Sequence, residues 1–434
     1  MSRIRVIGAG LAGCEAARTL ARLGHEVALY EQKPARHSAA HKSADFAELV
    51  CSNSLKAARV DSAAGLLKAE MRLLGSVCLE VADTCAVPAG GALAVDRLLF
   101  ARGVTARIEA EPGIEIVREE VAEIDPYVPT VVASGPLTDG ALAESLFALC
   151  GRETLSFFDA AAPIVAADSI DMRRVHAASR FGWGDGDYLN CYFDKPGYEA
   201  FHEALVTAES APQHDFDFKV YEGCMPIEKL AKRGRDAIRY GPMKPVGLVN
   251  PETGHRPWAA VQLRRENAEG TMYNLVGFQT NLRFGEQKRV FSMIPGLERA
   301  EFVRYGVMHR NTFLDSPRTL ERNLSVKAHP NVFVAGQLTG FEGYMESAGC
   351  GILAARFLHD RLCGRPSAFP SENTMLGALL RYVTTDNRDF QPLGANMGIL
   401  PSLADSVRDK RLRYEALAQR ALHDMEEYRD ENCN

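Results

Sequence analysis

The sequence predicts an α/β protein in which a doubly wound, discontinuous domain is interrupted by an inserted α+β domain. Three observations carry the prediction. A short apolar strand at the start, Ile4 to Ile7, runs into a glycine-rich turn and a helical pattern. Residues 129–151 repeat that plan, with a strand, a small-residue turn and a helix. Residues 331–364 repeat it near the other end of the chain, after a long stretch of different character. A mainly parallel sheet drawn from both ends of a chain needs strand–turn–helix units at both.

Taken in order, Gly8-Ala9-Gly10-Leu11-Ala12-Gly13 is a G-x-G-x-x-G run between the first strand and a helix that reaches Gly24. Gly24 suits the left-handed conformation that ends a helix. Gly8 permits the tight turn, Gly10 lets the backbone approach a pyrophosphate, and Gly13 lets the helix pack on the strand. The helix start faces the phosphates with unpaired N–H groups, so Ala9, Leu11 and Ala12 belong to the same expected cradle. A second strand, Val27 to Tyr30, ends at Glu31, 18 positions beyond the last glycine. The Glu31 carboxylate is expected to accept hydrogen bonds from a ribose.

The second unit turns at Ala133-Ser134-Gly135, and the third passes from strand 332–335 through Gly336 and Gln337 into a helix with small residues on its packing face. A fingerprint at the start with a return near the end is the layout usual for FAD proteins. There the last helix aims its positive N-terminus at the flavin ring. Gly336 and Gln337 are accordingly expected at the cofactor. This makes 1–160 and 328–434 a Rossmann-like FAD-binding domain and 161–327 the α+β insertion. Within the insertion, "TMYNLVGFQTNL" (271–282) alternates as antiparallel strands do.

The bulk composition narrows the class. The chain has 434 residues, 46% hydrophobic and 24% charged, which is ordinary for a globular protein. It holds no long apolar run of the kind that spans a membrane, and its N-terminus lacks the pattern of a secretory signal, so a cytoplasmic protein is expected. Ten cysteines stand at 14, 51, 78, 85, 150, 191, 224, 350, 363 and 433, with no C-x-x-C pair, which argues against a zinc ribbon or a redox dithiol. No metal site is expected. The net charge of −6 hides an asymmetry: residues 229–327 carry 18 Lys and Arg against 9 Asp and Glu, leaving −15 on the rest. A local basic surface on an acidic protein can still attract a polyanion.

Two thiols stand out. Cys51, in "FAELVCSNSLK" (46–56), precedes the capping types Ser52-Asn53-Ser54 and a long helical pattern. Cys224, in "YEGCMPIEKL" (221–230), precedes Pro226 and "IEKLAKRG". Both are expected at helix N-termini, where partial positive charge favours thiolate, with Lys56 and Lys229 close by in sequence.

With these motifs assembled, the chain resembles, essentially end to end, the folate- and FAD-dependent tRNA (uracil-5-)-methyltransferases, which act on the T-loop uridine of tRNA. The resemblance rests on "GAGLAG", "FAELVCSNSLK", "DAAAPIVAADSIDM" (159–172), "YEGCMPIEKLAKRG", "MHRNTFLDSP" (308–317), "VFVAGQLTGFEGYMESA" and "DFQPLGANMGILPSL" (389–403). Two small departures, Tyr192 in "YLNCYF" and Cys350 in the last helix, touch no proposed catalytic position. The resemblance implies FAD as cofactor, methylenetetrahydrofolate as carbon donor and NADH or NADPH as reductant. It implies catalytic roles for Cys51 and Cys224: Cys224 adds to uracil C6 while Cys51 serves as base or guards the transferred carbon, or the reverse. It also implies that His309 stacks on the folate pterin. The basic run Lys229, Lys232, Arg233 and Arg235, placed on one helical stretch beyond Cys224, is then expected to meet the tRNA backbone. Three rival readings keep the fold: the same chemistry on a ribosomal RNA uridine, a tRNA wobble-uridine enzyme, and an RNA-binding flavoprotein that has lost catalysis. The wobble enzymes are longer than this sequence, which runs to "ENCN" (431–434), so that reading is expected to be disfavoured.

Overall fold

The computed structural model describes residues 3–38, 40–151, 154–182, 186–211, 225–388, 390–405 and 407–432, with backbone alone for 154–159, 182, 309 and 310. The chain opens with β1 (Ile4–Ile7), α1 (Leu11–Arg22) and β2 (Val27–Tyr30), as the glycine fingerprint requires. Then come β3 (Ser54–Ala57), α2 (Ala63–Leu73), α3 (Val77–Thr84), β4 (Ala86–Val87), β5 (Ala92–Val95), α4 (Arg97–Glu109), β6 (Ile114–Val117), β7 (Thr130–Val132) and α5 (Gly140–Leu149).

Strand β8 (Thr154–Ala160) leads out of this unit. The middle of the chain supplies β9 (Ile164–Ala166), β10 (Val175–Ala177), β11 (Tyr188–Phe193), α6 (Lys195–Thr207), α7 (Ile227–Ala231), α8 (Ala237–Tyr240), β12 (Ala259–Arg265), β13 (Met272–Leu275), α9 (Phe284–Phe291) and β14 (Phe302–Arg304). Strand β15 (Met308–Leu314) returns, antiparallel to β8, with Met308 opposite Ala160 and Leu314 opposite Thr154. The chain closes with α10 (Ser316–Thr319), β16 (Ser325–Val326), β17 (His329–Val334), α11 (Tyr344–Leu362), α12 (Met375–Thr384) and α13 (Lys410–Asn432).

The first sheet has the order β16-β17-β7-β1-β2-β6, parallel except for the β16–β17 pair. Strand order reverses between β1 and β7, and ligands of such sheets bind in the crevice at that switch point. Its core gathers residues from both ends of the chain, from Ile4 to Tyr428. Helices α1 and α11 pack against each other beside the sheet, and their contact admits no side chain. A Cβ on Gly351 would lie 2.2 Å from the Ala12 carbonyl oxygen, and, where α1 meets its own entry turn, one on Gly13 would lie 1.8 Å from that of Gly8. The small residues of both helices are there for this approach.

The second sheet, β10-β11-β12-β13-β9-β14, is antiparallel, so the alternating stretch 271–282 does contribute a strand, β13. It carries a separate core running from Val165 to Ala300, in which Phe201, Phe278 and Phe291 are fully buried.

Two local expectations are overturned. No helix starts beside Cys51: residues 54–57 form β3, paired with β5, and α2 begins only at Ala63 behind its N-cap Ser62. The capping-type side chains before it are used elsewhere. Arg264 on β12 donates to Ser52 Oγ and Asn53 Oδ1, both at 2.9 Å, and Asn53 Nδ2 donates to the carbonyls of Val95 and Arg265. These bonds fasten the Cys51 segment to the second sheet. Nor do Lys229, Lys232, Arg233 and Arg235 share one helix. Helix α7 ends at Ala231 and the chain turns through Gly234 at φ +156°, so only Lys229 is helical.

Candidate active site

A cavity of about 1260 Å³, its open mouth included, lies at the switch point of the first sheet. Gly8, Gly10, Leu11 and Ala12 form one wall, Ala133 to Asp139 a second, and Ala335, Gly336, Gln337, Tyr344 and Ser347 a third. Of the expected cofactor residues, seven line it: Gly8, Gly10, Leu11, Ala12, Glu31, Gly336 and Gln337. Ala9 and Gly13 stand behind that wall. The Ala9 amide donates to Glu31 Oε2 at 3.1 Å, and Gly13 packs on Gly8.

The walls have the chemistry of a dinucleotide cradle. Helix α1 begins at Gly10 with no side chain capping it, so its first N–H groups face the cavity unused. A Cβ on Gly10 would meet nothing within 4 Å, so that glycine leaves room for a ligand against the backbone. Gly8, at φ +99°, turns so tightly against Ala133 and Ser134 that a Cβ would come within 2.7 Å of their backbone. Glu31 is buried, and its carboxylate is held by the amides of Ala9 and Lys33 at 3.1 and 3.0 Å. Two such bonds leave lone pairs of the carboxylate free for a ribose. The residues fit a bound dinucleotide.

Cys51 meets the third wall through Tyr344, the first residue of α11. The Tyr344 hydroxyl oxygen accepts from the amides of Cys51 at 2.7 Å and Ser52 at 3.2 Å, and lies 2.9 Å from the Cys51 sulfur. With two N–H groups entering its oxygen, the phenol's own proton points at the sulfur. Tyr344 is half-buried, and burial first, then Cys51, pushes its phenol well above the usual range. The phenol therefore stays protonated and can serve as a donor to sulfur.

Two arginines complete the setting. Arg304 donates to the carbonyl of Val50, which lines the cavity, and Arg97 donates to that of Leu49 at 2.6 Å. Burial, then Arg97, draws the Arg304 guanidinium below its ordinary value, while Tyr344, Glu266 and Cys51 favour its charge. Arg97 is itself paired with the buried Glu266. Cys51 thus has one hydrogen-bond donor and a nearby cation, a setting that suits a reactive sulfur. The Lys56 ammonium is bound to Glu346 on α11 at 2.7 Å.

The remaining predicted residues are spread more widely. Cys224 lies outside the described residues. His309 is on β15 opposite Asp159, and its side chain is outside the described set. Lys232, Arg233 and Arg235 are exposed and Lys229 half-buried, on the second sheet's unit. Helix α7 is fixed there by Glu228, which is buried and accepts from Thr280 Oγ1 and the Asn281 amide, both at 2.8 Å. Tyr344, Arg304 and Arg264 were not singled out from the sequence. Only Tyr344 carried a signal, an aromatic with a polar tip at the start of a helix aimed at a cofactor.

The chain is similar over most of its length to known proteins. The family model for glucose inhibited division protein A matches residues 3–366. Curated relatives named methylenetetrahydrofolate--tRNA-(uracil-5-)-methyltransferase TrmFO include one from Moorella thermoacetica, 54% identical with 97% of each chain covered. Another, from Heliobacterium modesticaldum, is 52% identical and covers 99% of this chain and 98% of its own. Among solved structures, Aquifex aeolicus GidA superposes with a TM-score of 0.72 at 17% identity, over 98% of this chain and 73% of that one, and shares the fold.

Proposed function

Because the chain belongs to the methylenetetrahydrofolate–tRNA-(uracil-5-)-methyltransferases, within the glucose inhibited division protein A family, we propose that it methylates C5 of the T-loop uridine of tRNA. It is a folate-dependent tRNA uracil-5-methyltransferase; the T-loop target, the reductant and the residue roles are our reading. We take methylenetetrahydrofolate as the carbon donor, FAD as the cofactor and NADH or NADPH as the source of electrons. Residues 1–160 and 328–434 form the FAD-binding part in this reading, and 161–327 the RNA and folate side.

The observation that carries it is the sulfur of Cys51 held by Tyr344 at the wall of the cavity. Uracil C5 is a weak nucleophile while its ring stays conjugated. Addition of a thiolate at C6 breaks the conjugation and gives C5 enolate character, so that C5 can attack a one-carbon electrophile. Removal of the C5 proton then expels the thiolate and restores the double bond. We assign the addition to Cys224 and the proton removal, or the shielding of the incoming carbon, to Cys51. Bound FAD supplies the electrons that take the carbon from the methylene to the methyl level.

In this reading the chain's own groups do the positioning. Gly8, Gly10, Leu11 and Ala12 hold the pyrophosphate with backbone N–H groups, with Ala9 and Gly13 shaping the turn behind them. Glu31 receives the ribose, and Gly336 and Gln337 sit with the N-terminus of α11 at the ring end. Gln337 is steadied by its side-chain amide nitrogen, which donates to Glu342 Oε2 at 2.6 Å. Tyr344 keeps a donor on the Cys51 sulfur while Arg304 keeps a cation near it. His309 stacks on the folate pterin. Lys229, Lys232, Arg233 and Arg235 attract the RNA backbone, so affinity should fall with salt.

Mapping of 5-methyluridine in total tRNA and ribosomal RNA, with and without the gene, tests the reading. Loss of the T-loop methyl group from tRNA, restored by the wild-type gene, supports it. Persistence of that methyl group, or loss confined to ribosomal RNA, overturns it.

A further inference from the structure

The segment that leads from the second sheet back toward the cavity carries a pile of three rings. Phe302 on β14 lies 5.2 Å from Tyr305, centroid to centroid, with the planes 12° apart. Tyr305 lies 4.8 Å from Phe284, at 17°. Phe302 also touches the buried core ring of Phe291, which anchors the pile from below. At the top, Phe284 opens α9 and is 55% exposed.

A single exposed apolar side chain is ordinary on a protein surface. This ring is not single. Two successive near-parallel contacts fix its inner side, and its outer side faces solvent. At these separations the near-parallel rings are offset-stacked, a favoured arrangement of aromatic pairs. A rigid ring with one covered side and one open side is what a nucleobase stacks on, and every base has such a side to offer.

The surroundings suit a nucleic acid. Arg283, Lys288 and Arg289 flank Phe284 in sequence; Arg283 pairs with Glu209 and Arg289 with Glu286. Lys288 is exposed and has no ion-pair partner among the described residues. The segment 229–327, which holds the whole pile, is the one with the surplus of cations. The pile is also tied to the active site. Arg304, between Phe302 and Tyr305, donates to the Val50 carbonyl beside Cys51.

We propose that Phe284, backed by Tyr305 and Phe302, is a stacking platform for an unpaired base of the RNA that flanks the target uridine. The inference rests on the proposed function and deepens it. Drawing a uridine out of a folded loop breaks its stacking on its neighbours. A platform that meets the flanking RNA gives a neighbouring base a new partner and offsets that loss.

The test uses the full-length, cofactor-loaded protein and an unmodified tRNA transcript. Phe284→Ala and Phe284→Leu are expected to bind the transcript about tenfold more weakly, the scale of one lost base stack. KM for the transcript should rise in step while kcat holds. The salt dependence of binding should not change, because no phosphate contact is lost. Phe284→Trp should restore affinity, with its indole fluorescence quenched on binding. The leucine variant keeps an apolar contact with Tyr305, so a loss of RNA binding at unchanged melting temperature separates stacking from packing. Wild-type affinity in both truncated variants overturns the platform. So does a changed oligomeric state with RNA binding intact, which would assign this face to a second copy of the chain. If wild-type protein methylates the transcript while the variants behave normally, only the platform fails. If wild-type protein neither binds nor methylates it, the proposed function fails too.

Discussion

The sulfur of Cys51 lies 2.9 Å from the phenol oxygen of Tyr344, the residue that starts the helix α11 facing the cavity. The same oxygen holds the amides of Cys51 and Ser52, so one side chain fixes both the backbone and the thiol. Tyr344→Phe removes the donor and leaves two N–H groups unmatched. A hydrogen bond to a charged partner contributes roughly 1.5–3 kcal/mol, so methylation should fall about ten- to hundredfold. Cofactor content, read from flavin absorbance, should be retained. Full activity in this variant would remove Tyr344 from the account.

The thiols should sort by their surroundings when native protein is alkylated at pH 8. Burial pushes Cys85 and Cys350 up to about 11 and Cys150 to about 12. Burial also raises Cys14, Cys78 and Cys191 well above the ordinary thiol range. Among the described cysteines only the half-buried Cys51 and the exposed Cys363 are open to reagent. Peptide mapping by mass should find the label on those two and not on the six buried thiols.

Asn53 joins the Cys51 segment to both β5 and β12, through Val95, Arg265 and the guanidinium of Arg264. Asn53→Ala leaves the buried Arg264 with an unmatched N–H. It should cost about 2–4 kcal/mol of stability, since each orphaned buried group costs about 1–3 kcal/mol. Denaturant unfolding measures this, and activity should fall with it because the thiol segment loses its anchor.

Lys68 is enclosed beneath β3, donating to the carbonyls of Leu55 and Ala64 at 2.8 Å. Burial lowers its amine to about 8 from 10.5. Below pH 8 the native state therefore bears the cost of a buried charge. Between pH 8 and 10.5 the folded chain has shed a proton that the unfolded chain still binds, so stability gains as pH rises, by up to about 3 kcal/mol. Wild-type protein should gain on Lys68→Met across that window in parallel unfolding titrations. A constant difference would contradict the assignment.

Four strands of the first sheet, β1, β2, β7 and β17, were legible because their signals are local, whereas β6 and β16 were not read. The glycine run, the following helix and Glu31 lie within one βαβ unit, and the positions of Gly8, Gly10 and Glu31 follow from spacing alone. The setting of Cys51 was not legible. Its donor Tyr344 lies 293 positions away, and the partner of Ser52 lies 212 positions away. Ser52, Asn53 and Ser54 have the side chains of a helix cap, and they read as one until Arg264 and β5 claim them. Tertiary pairing decided that stretch against its local propensity. The basic run after Cys224 was misread for a smaller reason: the helix stops at Ala231, so the charges share a composition and not an axis.

Cross-linking with 5-fluorouridine-substituted tRNA tests the central claim most directly. Fluorine at C5 cannot leave as a proton, so once C5 has taken up the carbon the sulfur that added to C6 cannot be expelled and stays attached to the RNA. The account predicts a covalent complex that survives denaturation, with the nucleotide mapped by mass spectrometry to Cys224 and the complex lost in Cys224→Ala. Full methylation of normal tRNA by wild-type protein, with no adduct on Cys224 or Cys51, would contradict it.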